Sequence, residues 1–310
     1  MKVVNYLTSV PRGNTNKQKE ELLMKFHNGV QRTGDDSHLH REYFTVDCDA
    51  ALIQGWVYND TTPSHLSLRK KVIEHQQKTN RYTIVADANL FLYANKINPQ
   101  GYLRYSLNGV FPDTGIYCDN NIDETRWNQI SINTGIRLEE NKKNGSHILI
   151  LLQRQGGWSM GGENVIDWTN KTIRQIRKAG CDRMIRIRPH PGCKKSKQFL
   201  NPRTNPFYKL NKVMICDPAN RLENDLKNCY AVVNKNSSGI VGPIIKGYNA
   251  FVTEPNKSQC SEVSNHNLQD IENPKTFDRL KWLQRISMFH WNFSELETGQ
   301  CWSHIKNYVQ

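Results

Sequence analysis

Short apolar runs alternate with amphipathic stretches along most of the chain, and that alternation predicts strands and helices in turn. Residues 3–7 read as a first strand. A polar loop with turn residues follows, and then Leu22, Leu23, Phe26 and Val30 recur at helical spacing. Residues 43–46 and 50–57 read as buried strands. Residues 67–79 read as a basic helix with Leu68, Val72 and Ile73 inward, and 81–86 as a strand ending at Asp87. Strand, helix, strand at this spacing is the mark of a parallel sheet. Residues 103–126 are less regular, with Arg104, Tyr105, Phe111, Asp113 and several glycines. They read as a long loop serving the acceptor side, or as an Ω-loop that plugs a core edge.

The pattern resumes after a polar, turn-rich segment at 141–146, read as a linker. Residues 147–152 form a strong strand. The loop behind it holds Gly156, Gly157, Gly161 and Gly162, which lets backbone approach a ligand, yet it lacks the G-x-G-x-x-G spacing of a dinucleotide site. Ile166, Ile173, Ile176 and Ala179 mark one face of a helix that Gly180 closes. In 184–188, Ile185 and Ile187 share one face and Arg186 and Arg188 the other. That strand runs into Pro189-His190-Pro191, where the prolines fix the backbone on both sides of the imidazole. Residues 194–209 read as a basic loop, 213–216 as a strand and 221–228 as a short helix. The apolar run 230–233 leads into Asn236-Ser237-Ser238-Gly239, a helix start with two hydroxyls and open backbone N–H groups. Pro243 fits the first turn of that helix, Gly247 ends it, and 249–252 is the next strand. Residues 274–310 read as helices with Leu283, Ile286, Phe289, Leu296 and Trp302 apolar.

Composition narrows the partners. The net charge is +13, and the excess concentrates at 171–197, which brackets the His-Pro loop. This favours polyanions, with Arg104, Lys194, Lys195 and Lys197 as candidate nucleic-acid contacts. No run approaches the roughly 20 apolar residues that span a bilayer, and the first residues read as a strand rather than a signal peptide. Eight cysteines without a C-x-x-C pair argue against a zinc ribbon and for reduced thiols in the cytoplasm. Asp36, His38 and His40 lack a further ligand at motif spacing, so no metal is expected.

The Pro-locked His190 and the Ser237-Ser238 helix start, in successive strand–helix units, resemble the paired motifs of bacterial capsule glycosyltransferases. These are the polysialyltransferase-like and Kdo-transferring enzymes of GT-B architecture. The resemblance covers about the second half of the chain. It implies that His190, Ser237 and Ser238 hold the phosphates of a nucleotide sugar. It also implies an α/β fold of two Rossmann-like domains facing across a cleft. Residues 1–143 would bind the acceptor and 144–273 the donor, with 274–310 crossing back onto the first domain. Gly242 and Pro243 stand where the family usually has Glu-Ala, so the resemblance assigns neither the ribose contact nor the base. The plainer reading of the same residues is a core histidine and a helix N-cap.

Transfer needs a stabilised leaving group and a deprotonated hydroxyl. Arg188 and Gly239 would assist the phosphate groups, and Gln153, Gly157, Trp158 and Ser159 the nucleotide, so that fixed donors serve without a metal. No cofactor beyond the nucleotide sugar is expected. The base is sought in the first domain: Asp87 at a strand end, then Asp113 or Asp36. Residues 282–284 and 291–299 resemble the tails of phage-encoded proteins of the same group. With the basic surface, they suggest a 5-hydroxymethylated pyrimidine in duplex DNA as acceptor, flipped from its stack, and a monomer working in the host cytoplasm. The rivals are a saccharide or lipid-linked acceptor, a non-catalytic nucleic-acid-binding protein, and an epimerase of related fold.

Overall fold

In a computed structural model, the described residues are 1–11, 17–57, 63–94, 101–193, 203 and 206–309. They form two units, one of Met1–Leu90, Ile97–Thr134 and Gln284–Gln310, the other of Phe91–Lys96 and Gly135–Leu283. The first contains β1 (Lys2–Tyr6), α1 (Lys17–Arg32), β2 (Asp36–His40), β3 (Ala50–Gln54), α2 (Ser64–Lys78), β4 (Tyr82–Asp87), β5 (Leu103–Leu107) and α3 (Glu124–Thr134). The second contains β6 (His147–Leu151), α4 (Val165–Lys178), β7 (Met184–Arg188), β8 (Val213–Ile215), α5 (Leu222–Leu226), β9 (Cys229–Asn234), α6 (Val241–Ile245) and β10 (Asn249–Val252). After α7 (Arg279–Ser287) come β11 (His290–Trp291), α8 (Phe293–Glu297) and α9 (Gln300–Lys306), which belong to the first unit.

The first sheet has the order β11-β5-β4-β3-β1-β2. Strands β2, β1, β3 and β4 are parallel, and β5 and β11 extend the sheet antiparallel. Leu22, Leu23, Phe26 and Val30 of α1 share a core with Val3, Leu52 and Ile84, while Leu68, Val72 and Ile73 of α2 share another with Val4, Ala51 and Val85. The alternation of a strand thus sends neighbouring residues to opposite helical layers. Trp302 and Ile305 join the α1 core. A Cβ on Gly29 would lie 1.9 Å from the Leu296 carbonyl, so glycine permits the close approach of α1 and α8.

Three strands differ from the sequence expectation. Residues 43–46 are irregular, and β2 lies instead at 36–40, where Ser37 turns inward and Asp36 and His38 are exposed. The stretch 103–126 is no single loop: it opens with β5, whose Asp87–Arg104 register no local period reveals, and closes with the start of α3. The two residues of β11 form only against β5.

The second sheet, β10-β9-β6-β7-β8, is wholly parallel. Its first strand in sequence, β6, is central and fully buried, with β7 on one side and β9 on the other. Connections therefore leave in opposite directions on either side of β6, a topological switch point.

Gly180 (φ +81°) follows α4 and Gly247 (φ +84°) follows α6. Both are in the left-handed region, where a side chain costs roughly 1–2 kcal/mol. At Gly180 a Cβ meets nothing within 4 Å, but at Gly247 it falls 1.9 Å from the Glu140 carbonyl oxygen. Gly180→Ala should lose about that backbone cost and Gly247→Ala clearly more, as urea unfolding midpoints will show. Equal losses would mean that the 139–142 segment yields freely.

His290 is fully buried in β11, donating from Nδ1 to the Ile286 carbonyl (2.7 Å) and accepting at Nε2 from the Leu90 N–H (3.1 Å). Burial, with Arg104 and Arg126 nearby, lowers its pKa from 6.5 to about 3. The unfolded chain binds this proton more readily, so stability at neutral pH is lost as pH falls from about 6.5 towards 3. His290→Gln should flatten that part of the stability–pH curve. An unchanged slope would assign the loss to other groups.

Candidate functional site

Loops after β6, β9 and β7 leave the same edge of the second sheet, the carboxyl edge where open α/β sheets bind ligands. The Leu152 N–H donates to the Arg188 carbonyl (3.0 Å), carrying the ladder one step past β6. Beyond it, side chains hold the loops. Gln153 is buried, and its Nε2 donates to Asn236 Oδ1 and to Ser159 Oγ, each at 2.8 Å. Its Oε1 accepts from the Asn236 backbone N–H (3.4 Å). Asn236 Nδ2 donates in turn to the Ser159 carbonyl (3.1 Å) and to Glu254 Oε2 (2.6 Å). Lys235 Nζ, on a buried side chain, donates to the Met160 carbonyl (3.0 Å) and Glu163 Oε2 (2.5 Å). One residue after β9, it clamps the glycine-rich loop to the serine turn.

Ser237 caps a 3-10 turn, Ser238–Ile240, with its Oγ accepting from the Gly239 N–H (3.2 Å). A hydroxyl that accepts there still has its proton to give. The helix that follows is only Val241–Ile245, shorter than 240–246 and too short for a strong dipole, so the hydroxyls and backbone N–H groups carry any anion affinity. Asn234 Oδ1, beneath the turn, is buried with no partner among the described residues, while its Nδ2 donates to the Ser237 carbonyl (2.6 Å).

His190 is half-buried two residues past β7. Its Nδ1 accepts from the Gly192 N–H (2.9 Å), so the neutral ring carries its proton on Nε2. Burial first, and the Arg154 charge second, hold its pKa below the usual value. A Cβ on Gly192 would lie 2.8 Å from an Arg154 guanidinium nitrogen and 3.2 Å from His190 Cε1. Glycine therefore leaves the room in which that exposed cation stands beside the imidazole. The strands that carry His190 and the serine turn, β7 and β9, flank β6 and are two strand spacings, roughly 10 Å, apart.

Other expected donor residues fall less simply. Arg188 turns inward to Asp225 and to the Asn220 carbonyl and is buried, so its cation is consumed within the unit rather than offered to a ligand. Gly157 shapes the loop through its N–H bond to the Arg154 carbonyl (3.0 Å). Gly239 supplies a backbone N–H, and Ser159 ties the amide network. The Trp158 side chain, Lys194, Lys195 and Lys197 lie outside the described residues.

In the first unit, Asp87 ends β4 and accepts from Arg104 (2.5 Å) directly across the ladder. Arg104 is buried by this pairing, which removes it from the surface where a DNA phosphate would have to be met. Asp36 begins β2 and so stands at the amino edge, away from Asp87, with His38 Nε2 at 3.0 Å. Asp113 is exposed in the turn before β5's bridge partner, Ile116. Sequence reasoning missed Arg69, which is buried and donates from Nε to the Ser9 carbonyl (2.8 Å) and from Nη2 to Gln54 Oε1 (3.3 Å). Burial lowers its pKa to about 10, opposed by the Asp87 charge. Lys19, on α1, and His65, on α2, are lowered first by burial and then by charge from Arg69. Arg154, Lys235 and Glu254 were missed as well. The one local signal was a lysine between two asparagines at the end of an apolar run.

No protein-family model matches the chain, and no curated protein matches its sequence. Solved structures do match. The KpsC β-Kdo 2,4 transferase of Thermosulfurimonas dismutans superposes with a TM-score of 0.56 at 11% identity, over 94% of this chain and 92% of that one. The β-Kdo 2,7 transferase of KpsC from the same organism gives 0.50 at 9% identity, over 97% and 99%. The mixed first sheet, the parallel second sheet and their helices therefore have the GT-B-like fold of these proteins.

Proposed function

We propose that the chain is a glycosyltransferase that takes a nucleotide-activated sugar on its second unit and passes the sugar to a hydroxyl of a saccharide. One observation carries this reading. The Gln153–Asn236 amide pair locks the loops of the switch point so that His190 Nε2–H and the serine turn present donors at one edge. The fold likeness to two Kdo transferases over nearly the whole chain supports it.

Asp87 takes the proton from the acceptor hydroxyl, oriented by Arg104. The acceptor oxygen bonds to the anomeric carbon as that carbon's bond to the phosphate oxygen breaks. The electron pair leaves on the phosphate, where His190 Nε2–H, the serine hydroxyls and Arg154 meet the charge as fixed donors. The nucleotide sugar is the only co-substrate in this reading, and no metal is required by it.

Duplex DNA is the weaker acceptor. Its expected contact Arg104 is buried, and both neighbours are named for a sugar, Kdo. Arg69 lies near Asp87, and Lys19 and His65 lie near Arg69, a local set of basic side chains that suits an acidic saccharide.

The test incubates the chain with a panel of nucleotide sugars and three acceptors: an acidic oligosaccharide, a neutral one and hydroxymethylated duplex DNA. Mass spectrometry should show one added sugar on the acidic oligosaccharide. His190→Ala should cut turnover on the order of 10²–10³-fold and Asp87→Asn on the order of 10²–10⁴-fold. Sugar added to DNA alone, or to no saccharide with any donor, would overturn the proposal.

A further inference from the structure

A cavity of about 570 Å³ opens at the outer edge of the first sheet, beside β11, the start of α3 and α9. That volume is in the range of small-ligand sites, about 300–1,000 Å³. None of the residues assigned to transfer lines it. Its rings form a connected set: Trp291 and His304 have centroids 5.3 Å apart, and His304 and Tyr308 5.7 Å. Asn121 and Asn307 are exposed at its rim, with Asp123 between the strand edge and α3.

The rings are held firmly. Arg126 lies over Trp291 at 3.7 Å and donates to the carbonyls of Ser287 (3.1 Å) and His290 (2.5 Å) and to the Glu295 carboxylate (3.1 Å). His304 Nε2 donates to the Cys118 carbonyl (2.7 Å), which fixes a neutral tautomer. Trp291 is 5% exposed, and its indole Nε1 is buried with no hydrogen-bond partner among the described residues. Leaving such a donor unmet costs about 1–3 kcal/mol.

We infer that this cavity is a saccharide-binding subsite for a neutral pyranose, a hexose or N-acetylhexosamine. Ring faces suit the apolar faces of a sugar, and side-chain amides suit its hydroxyls, because each amide both donates and accepts. Charge selects the neutral class. Arg126 acts on Asp123 but is already paired with Glu295, so these three groups together leave one net negative charge, the Asp123 carboxylate held by the Thr125 N–H and hydroxyl. An acidic sugar would be repelled here. Position gives the subsite a use. His290 pairs with Arg104, and Arg104 with Asp87, so the pocket's strand stands two strand spacings from the proposed base, roughly 10 Å. The further statement that the bound unit belongs to the acceptor glycan rests on the transferase reading; binding itself does not.

The experiment uses the full chain and isothermal titration with maltotriose, triacetylchitotriose and an α2,8-linked sialic acid trimer. One neutral trisaccharide should bind saturably and more tightly than the acidic one. Tyr308→Ala and Asn121→Ala, the second in an exposed turn and safe for folding, should each weaken it roughly fivefold or more, about 1 kcal/mol. His190→Ala should leave it unchanged. Absence of saturable binding by either neutral trisaccharide, preference for the acidic one, or indifference to both rim variants would overturn the inference. If the trisaccharide binds while no nucleotide sugar is turned over, the subsite stands and the transferase reading falls.

Discussion

The amide pair of Gln153 and Asn236 is the contact on which the candidate site depends. Among the described residues, the register between β6 and β9 ends at Ile150 and Val233, where the chains begin to diverge. One side-chain amide meeting another restores the connection across the switch point. Asn236 then spends its remaining donors on Ser159 and Glu254, and neighbouring Lys235 joins Glu163 and Met160. Lys235 is buried while Glu163 keeps contact with solvent, so removing the carboxylate would leave the ammonium with the Met160 carbonyl and the more distant Glu254. The loops are therefore held in place before any ligand arrives. Donors fixed in advance stabilise a leaving group without reorganisation at the moment of reaction.

The first unit uses the same parallel arrangement with the opposite electrical emphasis. The ends of β3 and β4 and the turn after β1 are joined by Arg69 and by Asp87–Arg104 rather than by neutral amides. Burying a guanidinium is unfavourable, as the fall of the Arg69 pKa to about 10 records. A fold keeps such a charge where its field acts on something. Here that field meets the carboxylate of Asp87 and, second to burial, lowers the pKa of Lys19 and of His65.

How far the sequence could be read follows from which strands are self-sufficient. β6 and β9 lie inside a parallel sheet with both faces covered, so they appear as apolar runs, while β7 alternates isoleucine with arginine; the His-Pro and Ser-Ser loops were legible at the ends of β7 and β9. Edge and antiparallel strands were not. β2 reads Asp-Ser-His-Leu-His because one face meets water, and β5 and β11 depend on partners distant in the chain. Side-chain destinations were hidden for the same reason. Arg188 alternates with Ile187 as expected, yet Asp225, which captures it, lies 37 residues on. Arg154 looks like one more loop cation until the fold sets it beside His190.

A charge of +13 invited a polyanion, but charge counted along a chain is not charge offered to a partner. In the basic stretch before the His-Pro loop, Arg177 donates to the carbonyls of Cys181, Arg183 and Lys212. Arg183 donates to Gly145 and Glu272, and Arg188 faces inward. These guanidinium groups act as multivalent ties for loop carbonyls, a task for which five donors in a rigid fork are well suited. Lys171, Arg174 and Lys178 remain exposed on α4. A groove for duplex DNA needs a continuous track of available cations, whereas one acidic sugar needs only a few at a single place. Arg104 and Arg69, the buried cations nearest Asp87, are likewise bound within their unit, so the distribution of charge, more than its total, argues against a track for duplex DNA.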